Sequence, residues 1–532
     1  MGRIRSFLAA FGQGPDKNKL DRGVAVFISL VALGFLGYTI CRYKYFSYIL
    51  TQTLPDTPGI LPVCAVYLML LLLCLVLLEP FQKRKLYAQA LIVFLIAATP
   101  RLLLAAVPYV DAGDYSLYYD MGLAFYQKDY ALAASLVAGT RLPDFVGLSW
   151  LNGLTMRVFG ATVTGFRLAN SVYSALSCVL IFLIGRRYDV RAGYLGACIW
   201  ALYPASLATS QTVGNPVLSL LFLLLSLYLL LIAANRSGHA GLACACGSGC
   251  AMLLSQYAHP SSLVPVLAIT FYLLTAAAAA LRRSKRACLR ALLVLACFFA
   301  CMGVTRAASN LYFDAHGLRD QITTKQSDYY VAKLVMGLNP ETNGGYCAED
   351  IGWCNAQPKE TLLADAAERI AGRLPTPGDV LRLIDTKIRY TWMVIDTNFA
   401  LFSAGMDHLS GAAWDAGMYP EALDIYRGAY LDALQAVRLF DFFFVALLYV
   451  VAFCGVLLRK RAARDTDLVI WVFLGFAALF ILIESQSRYR YPAMPMLCIL
   501  AGVGLHEAAR LFARKKPAAQ GDGAPSGGTV DP

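Results

Sequence analysis

Residues 87–130 read YAQALIVFLIAATPRLLLAAVPYVDAGDYSLYYDMGLAFYQKDY, an apolar run followed by an aspartate-rich stretch. The first part, 87–106, is an apolar run of about 20 residues, the length that an α-helix needs to cross a bilayer. The second part, 108–130, holds four aspartates and a Tyr or Phe every few positions. Carboxylates placed where a chain leaves the membrane can do acid/base or metal chemistry on a lipid-borne substrate. The alternative is an ordinary polar loop between two spans.

The amino-acid composition indicates the class of protein. Of the 532 residues, 58% are hydrophobic and 15% are charged, whereas soluble domains carry roughly 25% charged residues. We therefore expect an all-α polytopic membrane protein, because helices satisfy their own backbone hydrogen bonds in lipid. The net charge of +12 predicts no nucleic-acid partner, since Lys and Arg gather in cytoplasmic loops beside membrane lipid.

About twelve segments are apolar and long enough to be spans. The basic residues that border them fall on one side if the N-terminus is cytoplasmic, as the positive-inside rule requires. This topology needs residues 145–159 to be a helix at the outer surface rather than a span. Both termini are then cytoplasmic and the aspartate-rich stretch is extracytoplasmic, in a multi-pass protein of the plasma membrane. The predicted spans are 24–41, 60–78, 87–106, 166–185, 193–210, 217–234, 241–257, 261–281, 288–308, 439–458, 467–485 and 491–512.

A long insertion at residues 309–437 lies on the outer side in this topology. It carries ten basic and seventeen acidic residues, a net charge of −7 that leaves +19 for the rest of the chain. Apolar residues at three- and four-residue spacing predict helices at 359–373 and 379–395. The two cysteines of the insertion, Cys347 and Cys354, either form a disulfide or remain unpaired thiols.

Polar residues also stand in the short external loops, where ionisable groups are costly and usually have a reason. Asn215, which precedes a proline, is either a helix N-cap or a functional residue. His259, between spans 241–257 and 261–281, is either a turn residue satisfied by water or a functional group. Arg488 and Arg490 in SRYRYPAMP break the positive-inside bias. They either extend to lipid headgroups or bind a lipid phosphate, whose geometry suits arginine.

Four motifs together resemble the GT-C membrane glycosyltransferases that use polyprenyl-phosphate sugars, the group that includes the protein O-mannosyltransferases and the lipid A aminoarabinose transferases (glycosyltransferase family 39-like). An acidic motif in the first large external loop is the hallmark of that family, and DAGDYSLYYDMGLAF stands in its place. The other three motifs are PDFVGLSWLNGLTMRVFG, FRLANSVYSALSCVLIFLIGRRYDVRAGYLGACIWALYP and SRYRYPAMPMLCILAGVGL. The likeness covers about residues 87–281 and returns at 487–505.

The resemblance implies roles for the aspartates. Asp114 matches the family's catalytic carboxylate, and Asp111 is its alternative or partner. Either would also help to hold a divalent metal ion (Mg, Mn or Zn), the one cofactor that we consider. Asp120 and Asp129 are expected to be structural or to lie at the rim of the site.

The resemblance also implies ligands for the donor and the acceptor. Relatives often have Lys or Arg in place of His259 and an acidic residue in place of Asn215, so both positions depart from the family. The implied ligands of the donor phosphate are Arg488, Arg490 and His259, and the implied substrate-binding residues are Asn215, Tyr115 and Asp144.

The function that the resemblance implies is sugar transfer with inversion, from a polyprenyl-phosphate donor to an extracytoplasmic glycan, lipid or protein. Basic side chains would stabilise the leaving phosphate, and a carboxylate would take the proton of the acceptor hydroxyl. Three other functions stay open: a transporter or flippase of lipid-linked sugars, a degenerate family member that only binds them, and a membrane-anchored scaffold. We expect the insertion to help choose the acceptor.

The predicted architecture is a GT-C-like bundle of about twelve transmembrane helices with a mainly helical extracytoplasmic insertion. Its parts are a cytoplasmic N-terminus (1–23), two extra spans (24–86), a transmembrane core (87–308) with a catalytic external loop (107–165), the insertion (309–437), three C-terminal spans (438–512) and a disordered cytoplasmic tail (513–532).

Overall fold

The computed structural model describes ten stretches of the chain, and within these stretches all regular structure is helical. The described residues are 19–42, 60–106, 114–140, 145–214, 216–236, 238–281, 284–318, 326–393, 424–459 and 465–514.

Twenty α-helices and two 3₁₀ helices occur in this part of the chain. The α-helices are α1 (Lys19–Arg42), α2 (Ile60–Gln82), α3 (Leu86–Ala105), α4 (Asp114–Gln127), α5 (Tyr130–Thr140), α6 (Phe145–Phe159), α7 (Val163–Arg186), α8 (Val190–Leu202), α9 (Pro204–Thr209), α10 (Pro216–Asn235), α11 (His239–Ala258), α12 (Leu263–Leu281), α13 (Lys285–Ala315), α14 (Gln326–Gly337), α15 (Ala348–Ala356), α16 (Leu362–Arg373), α17 (Pro377–Trp392), α18 (Asp424–Leu458), α19 (Asp465–Leu482) and α20 (Met494–Arg514); the 3₁₀ helices are Pro260–Ser262 and Ser487–Ala493.

Ten helices in the described stretches are long and apolar enough to cross a membrane. They coincide with ten of the twelve predicted spans, which confirms the prediction of an all-α polytopic membrane protein. The candidate spans are Gly23–Cys41, Ile60–Gln82, Leu86–Ala105, Val163–Arg186, Pro216–Asn235, Pro260–Leu281, Lys285–Ala315, Leu439–Leu458, Asp465–Leu482 and Ser487–Ala513.

The other two predicted spans differ from this group for physical reasons. Segment 193–210 is interrupted, because Tyr203 takes an extended conformation (φ −65°, ψ 118°) and Pro204 then starts a new helix. Segment 241–257 forms one helix, α11, but it is rich in small and polar residues. Among them Gly249 lies where α11 meets the carbonyl oxygen of Phe298 on α13, a contact that a Cβ atom would block. Small residues at such crossings let helices pack closely in a membrane.

The helix predicted at 145–159 forms as α6, whose 15 residues are fewer than the roughly 20 that an α-helix needs to cross a bilayer. Most of its side chains are buried. The ring of Tyr257, near the end of α11, occupies the space beside Gly147 of α6. The helix therefore packs on the end of the bundle where α11 ends.

The insertion folds around a buried acid. Both predicted helices form, as α16 and α17, with Thr376 capping the start of α17 through its hydroxyl. The Asp350 carboxylate is fully buried and accepts hydrogen bonds from Arg373 (2.7 Å), Arg369 (3.0 Å) and Asn339 (2.9 Å). Burial alone would raise the pKa of Asp350, but these donors outweigh it and hold the pKa below its usual value.

The predicted disulfide of the insertion does not form. Cys347 and Cys354 are both free thiols. Cys347 is the N-cap of α15, and Cys354 lies seven residues on, in the small hydrophobic core of the insertion. Seven residues of helix rise by roughly 10 Å, whereas the Cα atoms of a disulfide are about 4.4–6.8 Å apart.

A buried lysine fastens the insertion to the bundle. Lys387 of α17 is 1% exposed, and its ammonium donates to the carbonyl oxygens of Gly337 and Ile483, both at 2.6 Å. Ile483 directly follows α19, so this single side chain joins two helices of the insertion to a transmembrane helix. Burial lowers the pKa of Lys387 to about 7, against the opposing effect of the nearby Glu484 carboxylate.

Candidate functional site

The candidate site lies at the end of the bundle that carries the insertion, which we call the insertion end. Three of the predicted site residues, Asp111, Asp144 and Asn215, lie outside the described residues. Asp114 is the first residue of α4, and its side chain lies outside the described part as well. The roles predicted for these four residues stay predictions.

Tyr115 marks where the aspartate-rich segment meets the bundle. Its side chain is buried at 2% exposure. A Cβ atom added to Gly214 would lie 2.7 Å from the edge of the Tyr115 ring. The start of α4, at Asp114, therefore adjoins the turn that leads into Asn215, as expected if both segments border one site.

His259 begins the 3₁₀ helix Pro260–Ser262 and is half-buried. The Ser261 N–H donates to His259 Nδ1 (3.2 Å), and the Ser261 hydroxyl lies 2.7 Å from the same nitrogen. With Nδ1 acting as an acceptor, the neutral ring carries its proton on Nε2. The ring can thus donate one hydrogen bond toward a ligand.

The charge state of His259 is set by its neighbours. Burial first, and then the positive charges of Arg488 and Lys333, together lower the pKa of His259 to about 4. The ring is therefore neutral at pH 7. Of the three predicted phosphate ligands, this one offers a hydrogen bond and no charge.

Arg488 lies on the second 3₁₀ helix, Ser487–Ala493, and is half-buried. The centre of its guanidinium group is 5.8 Å from the centroid of the Tyr489 ring, which favours a cation–π contact. Its charge lies within electrostatic range of His259. The structure thus brings together two predicted residues that are more than 200 positions apart in the sequence.

The Arg490 side chain points toward the C-terminal end of α17. It is fully buried, and its Nη1 donates to the main-chain carbonyls of Trp392 (3.0 Å) and Thr391 (3.4 Å) at the end of α17. In a 3₁₀ helix of three residues per turn, side chains at positions i and i+2 point about 120° apart. Arg488 and Arg490 therefore leave the 3₁₀ helix in different directions, and the role of Arg490 as a phosphate ligand stays a prediction.

Three residues that the sequence analysis missed, Lys333, Glu484 and Tyr489, complete the cluster. The Lys333 ammonium, on α14 of the insertion, forms an ion pair with the buried Glu484 carboxylate and lies 3.4 Å from the Tyr489 hydroxyl. The Gln486 side-chain amide also donates to Glu484 (2.6 Å). Glu484 had a signal, a carboxylate at the end of an apolar span. Lys333 had none, because its partner is 151 residues away.

These residues form what we call the cationic cluster: His259, Lys333, Glu484, Arg488 and Tyr489. Two cations and one carboxylate leave it with one net positive charge, beside a neutral imidazole that can donate a hydrogen bond and a phenol whose hydroxyl donates to Glu484 (3.4 Å). Such a set suits an anion with several oxygens, since arginine contacts phosphate through two parallel N–H groups.

A metal site has no support among the described residues. No three His, Cys, Asp or Glu side chains in that part of the chain lie close enough together to hold a metal ion. The two aspartates predicted for that role, Asp111 and Asp114, have side chains outside it.

The remaining aspartates of the segment behave as expected. Asp129 Oδ1 accepts from the Leu132 N–H (3.0 Å) and so caps the start of α5. Asp120 is exposed on α4.

Comparison with known families matches residues 146–302 to the family described as dolichyl-phosphate-mannose-protein mannosyltransferase. This stretch runs from α6 into α13 and includes His259. The resemblance to membrane glycosyltransferases that the motifs predicted is therefore confirmed over this stretch. No curated protein sequence matches the chain.

Several solved structures are similar to parts of this chain at low sequence identity. The oligosaccharyltransferase AglB from Archaeoglobus fulgidus, in complex with an inhibitory peptide and a dolichol-phosphate, is 14% identical with a TM-score of 0.44; the match covers 84% of this chain and 53% of that one. ArnT from Cupriavidus metallidurans bound to undecaprenyl phosphate is 15% identical with a TM-score of 0.28, over 81% and 78% of the two chains. This chain thus spans about half the length of the archaeal enzyme. At these scores the neighbours carry no argument about activity.

Proposed function

We propose that this protein is an integral membrane glycosyltransferase that moves a sugar from a polyprenyl-phosphate donor to an extracytoplasmic acceptor. One observation carries the proposal. The stretch that matches a dolichyl-phosphate-dependent family contributes His259 to a cluster with Arg488 and Lys333, at the end of the bundle where the aspartate-rich segment begins. A cation for a leaving phosphate and a carboxylate for an acceptor are the two groups that this chemistry requires.

The topology belongs to the same proposal. The termini are cytoplasmic and the insertion end faces outward from the plasma membrane, because the basic loops gather at the opposite end. The charge difference between the insertion, at −7, and the rest of the chain, at +19, supports this orientation.

The leaving group determines the role of the cationic cluster. When the bond between the anomeric carbon and the phosphate oxygen breaks, negative charge grows on the polyprenyl phosphate. Arg488 stabilises that charge, since fixed positive groups in a water-poor site are strong contributors to catalysis. Neutral His259 donates from Nε2 to a phosphate oxygen, and Lys333, shared with Glu484, contributes at longer range.

The acceptor determines the role of the aspartates. A hydroxyl oxygen attacks the anomeric carbon from the face opposite the phosphate, so the configuration inverts, and its proton passes to a carboxylate. Asp114 is the proposed base because it starts α4 beside Tyr115 and the 210–214 turn; Asp111 is the alternative. If a divalent metal ion takes part, these two carboxylates would hold it. The insertion, fastened by Lys387, is proposed to select the acceptor.

The test is incubation of the purified protein with a panel of polyprenyl-phosphate sugars, with and without EDTA, scoring the polyprenyl phosphate released. The proposal expects release from at least one donor, and a loss in EDTA would assign a metal. An Arg488→Gln variant should release at least tenfold less. Absence of release from every donor, together with movement of the intact lipid across vesicles, would instead establish a flippase.

A further inference from the structure

The interrupted span between α8 and α9 has charged partners on both sides of its break. Wherever a helix stops, its last carbonyls and the first amides of the next helix lose their intrahelical partners. Within a membrane no water is available to satisfy them, so protein groups must. The break lies at Tyr203, between Leu202 and Pro204.

Arg101 of α3 donates hydrogen bonds to the carbonyl groups that the break leaves unpaired at the end of α8. This intramembrane arginine is fully buried. Each of its five N–H groups has an acceptor, and two of the acceptors are carbonyls of the last turn of α8. The five bonds run from Nη1 to Ala201 O (3.1 Å) and Ala97 O (2.9 Å), from Nη2 to Trp200 O (3.4 Å) and Ser206 Oγ (2.8 Å), and from Nε to Ser174 Oγ (2.8 Å).

Asp441 of α18 accepts a hydrogen bond from an amide group at the start of α9, on the other side of the break. Its side chain is fully buried, and Oδ1 accepts from the Ala205 N–H (3.3 Å) in the first turn of α9. A cation thus meets the C-terminal end of α8 and an anion meets the N-terminal end of α9. The guanidinium charge matches the sign of the helix dipole at the C-terminal end of α8. Tyr67 of α2 lies within electrostatic range of both.

The same arginine also holds the two segments that border the candidate site. Its main-chain carbonyl accepts from the Gln211 side-chain amide (3.1 Å) and from the Ser171 hydroxyl (3.2 Å). Gln211 belongs to the turn that packs on Tyr115 through Gly214. Arg101 itself lies four residues before Ala105, where α3 ends and the chain continues toward Asp111 and Asp114.

Two further hydrogen bonds attach the C-terminal end of α3 and the 210–214 turn to α7. The Arg167 Nη2 donates to Leu104 O (2.7 Å), and the Asn170 side-chain amide donates to Thr212 O (2.7 Å). Both donors lie on α7, next to Ser171 and Ser174. The outer end of α3 and the 210–214 turn are therefore attached to one rigid helix and to one guanidinium group.

We propose that Arg101 and Asp441 are positioning residues that clamp the break and thereby fix the end of α3 and the 210–214 turn, on which Tyr115 of α4 packs, relative to each other. This inference rests on the proposed function. The clamp acts by geometry, because displacing a reacting group by about 1 Å can cost roughly a hundredfold in rate. Donor binding depends on Arg488, which lies on a different element, so the clamp governs turnover rather than donor affinity.

The test uses full-length variants in detergent, with two readouts. Ser174→Ala and Ser206→Ala each remove one acceptor of Arg101, and Arg101→Lys keeps the charge but loses the planar fork. Ser226→Ala is the matched control: its hydroxyl donates to Ser248 O (2.8 Å) in the middle of α10 and α11, away from the break. The readouts are steady-state transfer kinetics and hydrogen–deuterium exchange over residues 203–214.

The clamp predicts a roughly tenfold lower kcat for each serine variant at the break and at least a hundredfold loss for Arg101→Lys, with the donor KM within threefold. Hydrogen–deuterium exchange over residues 203–214 should be faster in the two serine variants than in wild type, and fastest in Arg101→Lys. Ser226→Ala should match wild type in both readouts. A kcat for Ser174→Ala and Ser206→Ala equal to that of Ser226→Ala overturns the inference.

Failure of the proposed function gives a different result. If wild-type protein transfers no sugar, the exchange measurement alone decides the clamp. Faster exchange over 203–214 in Ser206→Ala than in Ser226→Ala then supports it, and equal exchange overturns it.

Discussion

Arg490 Nη1 donates to the carbonyl oxygen of Trp392 at 3.0 Å, which joins the loop before the last span to helix α17 of the insertion. The same carbonyl accepts from the Tyr449 hydroxyl at 2.6 Å. The guanidinium group thus lies at the C-terminal end of α17, where a cation is favourable. Arg490 therefore anchors this loop to α17, whereas the guanidinium group of its neighbour Arg488 lies beside the Tyr489 ring.

Replacement of Arg490 should reduce stability rather than donor affinity. Arg490→Met removes charged hydrogen bonds from buried carbonyls, each of which contributes about 1.5–3 kcal/mol. The melting temperature of the purified protein should fall by several degrees, while Arg488→Met should leave it near the wild-type value. The reverse ranking would contradict the separation of the two arginines.

Arg488 should control affinity for the donor. Arg488→Gln removes the charge that faces the phosphate and should weaken binding of a polyprenyl-phosphate sugar by about 10- to 100-fold, in line with the roughly 1.5–3 kcal/mol of a charged hydrogen bond. Arg488→Lys should recover part of this loss. Titration of a fluorescent donor into detergent-solubilised protein measures both, and unchanged affinity in Arg488→Gln would remove Arg488 from the phosphate site.

His259 should act as a neutral group over the ordinary pH range. Because its pKa is lowered to about 4, the ring carries no charge between pH 5.5 and 8, and donor affinity should not change with histidine protonation there. The donor is a phosphodiester with one constant charge in this window. His259→Gln, which can still donate a hydrogen bond, should bind within about threefold of wild type. A rise in wild-type affinity centred near pH 6.5, absent in the variant, would show a charged histidine.

Lys387 should make stability depend on pH. Its pKa of about 7 lies below the unfolded value near 10.4, so the unfolded chain binds more protons between these values. Stability then rises as pH increases from 7 to about 10, and the disadvantage of burying the charge is complete below pH 7. Lys387→Met should flatten this part of the melting-temperature profile. A variant with the same pH slope as wild type would show that Lys387 is charged in the fold.

The transmembrane helices were predictable from the sequence because each is a local pattern of about 20 apolar residues. The helices at 362–373 and 377–392 were predictable for the same reason, from periodicity and a proline start. The break at Tyr203 had only Pro204 as a signal, inside a run that otherwise fits a span. The disulfide prediction failed because it counted cysteines without the helix that separates Cys347 from Cys354.

The site was harder to predict, because its contacts are distant in the sequence. The positions of His259 and Arg488 in short external loops located both residues, but they could not show that Arg490 donates to main-chain carbonyls of the insertion. Arg101 lies in an apolar run, and its acceptors are main-chain and hydroxyl oxygens with no sequence signature. Lys333 and Glu484 pair across 151 positions, which no local pattern reveals.

The most direct test of the central claim compares two aspartates of one segment. Asp114→Asn removes the proposed base, and Asp129→Asn makes the same chemical change at the cap of α5, where asparagine caps as well as aspartate. In a transfer assay with a polyprenyl-phosphate sugar, Asp114→Asn should lose about 10²- to 10⁴-fold in kcat, with the melting temperature retained, while Asp129→Asn keeps wild-type turnover. Full activity in a folded Asp114→Asn protein would contradict the account.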